Sequence, residues 1–260
     1  MPTVTGLAIT PVKATRLRQV DRVTLTPQGV RENRRFYVID DRDRMVNSKM
    51  LAVLQTVIAD YSDPDRTLRL SLPDGRVVEG EVSVGETITT TFFSQVDQGR
   101  LVHGPWSEAL SEVSGRSLRL VEADGRGTAV DRGTDGAVSL ISRASLARLA
   151  EVGGVESVDP RRFRMLVEID GVEAHAEDGW VDRGAFRIGE AAVAFGGHVG
   201  RCMITTRDPD TGKVDLPTLD ILGSYRTALG TTEPLPFGIW GRVLRPGSVT
   251  VGDEVAPVDG

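Results

Sequence analysis

Short runs rich in valine, isoleucine and threonine, cut by frequent glycine and proline, fill most of this chain. Residues 4–10 (VTGLAIT), 34–40 (RRFYVID), 164–170 (RMLVEID), 186–195 (FRIGEAAVAF) and 241–255 (GRVLRPGSVTVGDEV) read as strand-forming segments. Residues 68–82 hold a Pro-Asp-Gly turn between two such runs, which predicts a hairpin. A few stretches change to helical spacing. In 48–61, Met50, Leu51, Leu54, Val57 and Ile58 share one stripe, with Asn47 or Ser48 at its start as a cap. Residues 105–115 predict a short helix stopped at Gly115. Residues 142–154 predict another, starting near Ser142 and burying Leu146, Leu149 and Ala150, and a turn or two is expected around 219–226. The whole reads as mainly β with a few helices (α+β), so barrels and sandwiches lead. The glycine-rich stretch 122–137 alternates charges and has almost no bulky apolar residue. A domain boundary at its start divides the chain into units 1–122 and 123–260.

Composition narrows the function classes. With 37 acidic and 31 basic residues the net charge is −6, which argues against non-specific binding to nucleic acid. The single cysteine forbids an internal disulfide and excludes a multi-cysteine zinc or iron–sulfur site. That usage suits a reducing cytoplasm. The start, MPTVTGLAITPVKA, lacks a basic segment followed by an apolar core, so no signal peptide is expected. No run approaches the roughly 20 apolar residues that a membrane-spanning helix needs.

The lone cysteine, Cys202, sits in HVGRCMITTRDPDTG (198–212). A lone cysteine is ordinarily a small buried hydrophobe. Here Arg201 adjoins it, and a nearby cation favours the thiolate. Consecutive strand side chains diverge, however, so the benefit requires a loop or strand end. The Asp208-Pro209-Asp210-Thr211-Gly212 turn follows, with Asp208 as its former. Gly196, Gly197 and Gly200 precede, leaving backbone that a planar ligand can approach. Two chemistries suit such a thiol. One is a nucleophile, with His198 as the nearest base in sequence. The other is a single protein ligand to a soft metal whose remaining donors come with a cofactor. Elsewhere, His175 is of a type that moves protons near neutral pH, yet a lone histidine is ordinarily structural. Glu177 and Asp178 read as structural in their turn, and Trp106, Trp180 and Trp240 as packing.

GRCMITTRDPDTG resembles the cysteine motif of MOSC domains, a family named after the C-terminal domain of molybdenum cofactor sulfurase. RRFRMLVEIDG (161–171), AEDGWVDRGAFRIGE (176–190), LPTLDILGSYR (216–226), PFGIWGRVL (236–244) and PGSVTVGDEV (246–255) follow the family in order. TPVKA (10–14) and GVRENRRFYVID (29–40) are similar to the β-barrel domain that precedes MOSC domains in amidoxime-reducing proteins. The resemblance implies a small N-terminal β-barrel domain packed on a C-terminal MOSC β-barrel, with molybdenum-molybdopterin as cofactor. It implies Cys202 as metal ligand and catalytic residue, with Lys13, Arg35, Ser142, Arg164 and Arg201 as cofactor contacts. Three positions depart from the family pattern: Met165-Leu166 replaces a Pro-Asn pair, Gly200 a small hydroxyl residue, and Ala14 a serine.

The implied activity is reduction of small N-oxygenated compounds such as amidoximes, hydroxylamines or N-oxides. With no cysteines for a fused iron–sulfur domain, electrons are expected from a separate ferredoxin, flavodoxin or cytochrome b5-type donor with its reductase. Two other readings share the motif: a non-catalytic carrier of the cofactor, and a sulfur carrier with a persulfide on Cys202.

Overall fold

The computed structural model describes residues 1–92, 95–123 and 133–258. Most of 122–137, including the segment just after the expected domain boundary, lies outside the described residues. The first half contains β1 (Thr3–Ile9), β2 (Arg18–Val20), β3 (Arg22–Leu25), β4 (Phe36–Ile39), β5 (Met45–Val46), β6 (Ile58–Ser62), β7 (Thr67–Ser71) and β8 (Val77–Glu81). It continues with β9 (Ser83–Phe92), β10 (Gln95–His103), α1 (Trp106–Ser114) and β11 (Arg119–Ala123). The second half contains β12 (Val138–Ser142), α2 (Arg143–Gly153), β13 (Val167–Asp170), β14 (Ala185–Ile188) and β15 (Ala191–His198). It ends with α3 (Thr218–Tyr225), β16 (Ile239–Arg245), β17 (Gly247–Thr250) and β18 (Val255–Pro257). Mainly β architecture with three α-helices is as the sequence pattern implies.

Four sheets result. The largest runs β18-β14-β15-β16-β12-β13-β1-β2, and a five-stranded sheet runs β5-β4-β11-β10-β9. Strands β6-β7-β8 form a third, and β17-β3 a two-stranded ribbon. The 68–82 hairpin forms as expected: Leu72 N–H donates to the Arg76 carbonyl at 2.9 Å, and Gly75 takes φ +88°. Segments 186–195 and 241–255 each carry more than one strand. The first is broken at Gly189, whose φ of +55° turns the chain between β14 and β15.

The expected helix over 48–61 does not form. A 3-10 turn occupies Ala52–Thr56 and β6 follows. The physical reason is a second periodicity in the same residues. Val57, Ala59 and Tyr61 are buried at every second position, and β6 pairs antiparallel with β7 from Ile58 to Ser62. The other helices match their expectations. Gly115 and Gly154 end α1 and α2 in the left-handed conformation.

Three larger apolar clusters organise the interior. One lies on the large sheet around Leu7, Leu140, Val167, Phe195 and Ile239. A second fills the first half around Phe36, Leu54, Leu68, Trp106 and Leu120. A third lies beneath α2 and α3, around Leu149, Phe163, Leu222 and Phe237. The halves are tied by backbone as well as side chains. β1 pairs antiparallel with β13 and thereby extends the second half's sheet. The chain then crosses at residues 10–16, where Val12 bridges Phe36 and Arg16 bridges Ile58. Among the described residues, no helix is long and apolar enough to cross a membrane.

Candidate functional site

The 10–16 crossing is rigid by construction. Thr10 N–H donates to Asn33 Oδ1 at 3.1 Å, the Thr10 and Thr15 hydroxyls are 2.7 Å apart, and Thr15 Oγ1 donates to the Val12 carbonyl at 2.7 Å. Ala14 is held at φ +82°, a conformation that costs an L-residue about 1 kcal/mol. This places Lys13 beside β4, with its N–H on the Phe36 carbonyl at 2.7 Å and its ammonium 5.8 Å from the centre of the Phe92 ring.

Arg164 meets the crossing from the second half. It ends the 3-10 turn Pro160–Phe163 at φ +55°, and its Nη2 donates to the Thr15 carbonyl at 2.8 Å. Arg34, also left-handed at φ +53°, donates Nη2 to the Arg164 carbonyl at 2.9 Å. Burial, with the Arg34 charge adding, pushes the Arg164 guanidinium down to about 9. Arg164 has no carboxylate partner among the described residues. Arg35, the neighbour expected at this site, is committed elsewhere. Its Nε and Nη2 lie 2.8 and 2.6 Å from Glu122 Oε1, and Arg66 holds the other oxygen at 2.9 Å. Arg34 is therefore the β4-side cation that reaches Arg164; the doublet Arg34-Arg35 was visible in the sequence, but not which member faced inward.

The cysteine segment leaves β15 at His198. Arg201 and Cys202 diverge. Arg201 is 8% exposed: its Nε donates to the Phe237 carbonyl at 2.8 Å, Nη1 to the Phe163 carbonyl at 2.9 Å, and its guanidinium lies 5.1 Å from the Phe163 ring centre. Cys202 is exposed and precedes the 3-10 turn Met203–Thr206. Its carbonyl accepts from the N–H and the hydroxyl of Thr205, both at 3.1 Å. Arg201 thus staples the segment to two other backbone stretches and leaves the thiol outward.

The preceding glycines differ from the expectation of open backbone. A Cβ on Gly196 or Gly197 would come within 2.9 or 2.7 Å of the Trp240 ring, and one on Gly200 within 2.5 Å of Glu233. They let the Trp240 ring and the Glu233 side chain lie close against this stretch. Beyond Cys202, Asp208 shapes the turn as expected, accepting from Thr211 N–H at 2.7 Å and Asp210 N–H at 3.2 Å. Both halves grip that turn. Asp210 receives Arg161 at 2.9 and 2.8 Å and lies 3.3 Å from Arg16, and Arg162 holds Asp215 at 2.7 and 2.6 Å. Gly212, at φ +70°, approaches the Ala52 carbonyl so closely that a Cβ would lie 2.6 Å from it.

Ser142 caps α2 but meets an internal anion. Its Oγ accepts from Ser145 N–H at 3.1 Å and donates to Glu177 Oε2 at 2.9 Å. Its N–H and the Ser145 hydroxyl reach Glu177 Oε1 at 3.1 and 2.7 Å. The fully buried Glu177 carboxylate fills the helix N-terminus at Ser142, the expected cofactor contact. Nearby His175 is pushed down to about 4, by burial first and then by Arg226, so it is neutral at physiological pH.

Residues 127–256 match the MOSC domain model, and residues 1–105 match the MOSC N-terminal beta barrel domain model. Mitochondrial amidoxime reducing component 2 of Rattus norvegicus is 36% identical over 125 residues, covering 45% of this chain and 36% of that protein. The protein of the same name from Bos taurus is 28% identical over 281 aligned positions, covering 97% of this chain and 82% of that one. Among solved structures, the YUAD protein from Bacillus subtilis aligns with 98% of this chain and 94% of its own, at 14% identity and a TM-score of 0.44. The chain belongs to the MOSC family, with an N-terminal MOSC β-barrel domain ahead of the MOSC domain.

Proposed function

We propose that the chain reduces small N-oxygenated compounds at a molybdenum cofactor held where its two halves meet. One observation carries the reading. Arg164 keeps a cation at the crossing with no carboxylate partner among the described residues, beside a second cation, Arg34. Enclosing an uncompensated charge is costly unless an anion joins it. A terminal phosphate on a pterin is such an anion, and guanidinium groups bind phosphate bidentately.

The donor set fits the group at its two ends. The outward Cys202 thiol suits a soft metal as its single protein ligand. Arg164 suits the anionic end, with Arg34 donating to its carbonyl and Lys13 on the same chain crossing. Ser142, Arg35 and Arg201 have internal partners, so their assigned part is to hold the frame. When bound, the cofactor supplies two-electron chemistry at the metal. Cys202 anchors that centre from the protein side and, being exposed, leaves it open to a small substrate and to an electron donor. That donor is of ferredoxin, flavodoxin or cytochrome b5 type with its reductase. A cytoplasmic location and the division into units 1–122 and 123–260 belong to the same proposal.

The test is made on protein from a host that assembles the cofactor. Molybdenum content is measured, then benzamidoxime reduction with a chemical electron donor. Bound molybdenum with turnover supports the reading. Bound molybdenum without turnover on any N-oxygenated substrate leaves a cofactor carrier. Absent molybdenum with sulfane sulfur on Cys202 leaves a sulfur carrier.

A further inference from the structure

Cys202 stands at the base of a hydrogen-bonded hairpin whose tip carries Asp210. The Cys202 carbonyl holds the Met203–Thr206 turn through Thr205, and the Thr206 carbonyl accepts from Asp215 N–H at 3.1 Å. Arg207 and Val214 form an antiparallel bridge, and Asp208 N–H donates to the Lys213 carbonyl at 2.8 Å. Gly212 N–H closes the turn on the Asp208 carbonyl at 2.9 Å, and Arg207 Nη1 reaches the Gly212 carbonyl at 2.8 Å. At the base the Thr205 and Thr218 hydroxyls lie 2.6 Å apart, which ties the hairpin to the start of α3. A segment bonded from end to end opens as one cooperative unit, so what seats the tip also seats the cysteine.

The tip is seated by charge, from both halves of the molecule. Arg161 gives Nη1 and Nη2 to the two Asp210 carboxylate oxygens at 2.9 and 2.8 Å, a bidentate pair, while Asp159 holds the same guanidinium at 2.6 Å. From the first half, Arg16 gives Nη2 to the Asp210 carbonyl at 2.8 Å, and its Nη1 lies 3.3 Å from Asp210 Oδ1. Arg16 is itself fixed: its Nε donates to the Gln55 carbonyl at 3.3 Å and its N–H to the Val57 carbonyl at 2.9 Å. The residue before it is Thr15, whose carbonyl receives Arg164. Two consecutive residues of the crossing therefore hold the Arg164 guanidinium and the hairpin tip.

We propose that Asp210 is a positioning residue: gripped by Arg16 and Arg161, it holds the hairpin across the two halves and sets where Cys202 presents its thiol relative to Arg164. The inference rests on the reading of Cys202 and Arg164 as the two ends of one cofactor site, and it adds the residue that fixes their spacing. Loss of the Asp210 charge loosens the thiol locally and leaves the rest of the fold in place.

The lone cysteine makes the test direct. A nitroxide attached to Cys202 of the cofactor-free protein reports motion at that position by electron paramagnetic resonance, and trypsin cleavage after the exposed Lys213 reports opening of the hairpin. Asp210→Asn and Arg16→Met are each expected to quicken the label and to raise the Lys213 cleavage rate about fivefold. Arg16→Lys keeps the charge and is expected to fall between Arg16→Met and wild type. Ser142→Ala, which loosens α2 instead, is expected to leave both readings at their wild-type values. Protein loaded with cofactor is expected to lose molybdenum faster on gel filtration as Asp210→Asn than as wild type. Wild-type readings in Asp210→Asn and Arg16→Met, or an equal change in Ser142→Ala, overturn the proposal. So does unchanged molybdenum retention in an Asp210→Asn protein whose hairpin has opened. If Asp210→Asn does not fold, Arg16→Met and Arg16→Lys decide. A wild type that binds no molybdenum contradicts the functional reading instead and leaves the hairpin readings untouched, so the two failures are distinct.

Discussion

At the residue scale the site is decided by which groups already have partners. Cys202 is exposed and Arg164 lacks a carboxylate, whereas Arg201, Arg35 and Ser142 are committed inside the protein. Cys202→Ala is expected to change unfolding free energy by less than about 0.5 kcal/mol, because it removes an exposed atom group, while abolishing turnover of the loaded enzyme. Denaturation and benzamidoxime assays check the two halves of that statement. Arg164→Met is expected to leave the cofactor-free protein as stable as wild type or more so, because it removes a half-buried cation with no carboxylate partner among the described residues. Its cofactor retention after gel filtration is expected to fall. His175 gives a pH prediction. Its folded pKa of about 4 lies below the ordinary 6.5, so the unfolded chain binds the proton first on acidification. This group's contribution is present above pH 6.5 and is lost between pH 6.5 and 4. Wild type is expected to lose about 2 kcal/mol more than His175→Gln over that window, measured by urea denaturation. The motif singled out Cys202 and Arg164, and the structure leaves the first exposed and the second without a carboxylate partner among the described residues. Which arginine of 34 and 35 faces Arg164, and that Arg201 points inward, were not legible, because side-chain direction depends on strand ends that sequence locates only to within a few residues.

At the element scale, local pattern succeeded where one period dominated. The 68–82 hairpin and the three α-helices formed where turn residues, caps and spacing agreed. It failed at 48–61, where a helical stripe and a period-two pattern overlap and pairing with β7 chose the strand. Helix α2 supplies the sharpest element-level test. Ser142→Ala removes a cap and strips one bond from the buried Glu177 carboxylate. The expected loss is about 2–4 kcal/mol in denaturation. Activity per bound molybdenum is expected to be unchanged, whereas a phosphate contact at Ser142 would instead lower cofactor retention without a large stability loss.

At the scale of the whole molecule, the two halves are not separable pieces. β1 closes the large sheet against β13, and the chain then crosses back at 10–16. A fragment of residues 123–260 exposes the β13 edge that β1 covers, and is expected to aggregate on refolding, checked by light scattering. Sequence could not reveal this, because a strand's partner 160 residues away leaves no local mark; the separation of Val4 from Ile169 is of that order. The same crossing holds Arg164 at Thr15 with Arg34 on its carbonyl, and the Gly212 turn presses the cysteine segment onto Ala52 from the other side. The most direct measurement is the molybdenum-to-chain ratio of wild type, Cys202→Ala and Arg164→Met, purified from a host that loads a control molybdenum enzyme. The account predicts a near-equimolar wild type and a marked deficit in both variants. A metal-free wild type, or variants that carry as much molybdenum as wild type, would contradict it.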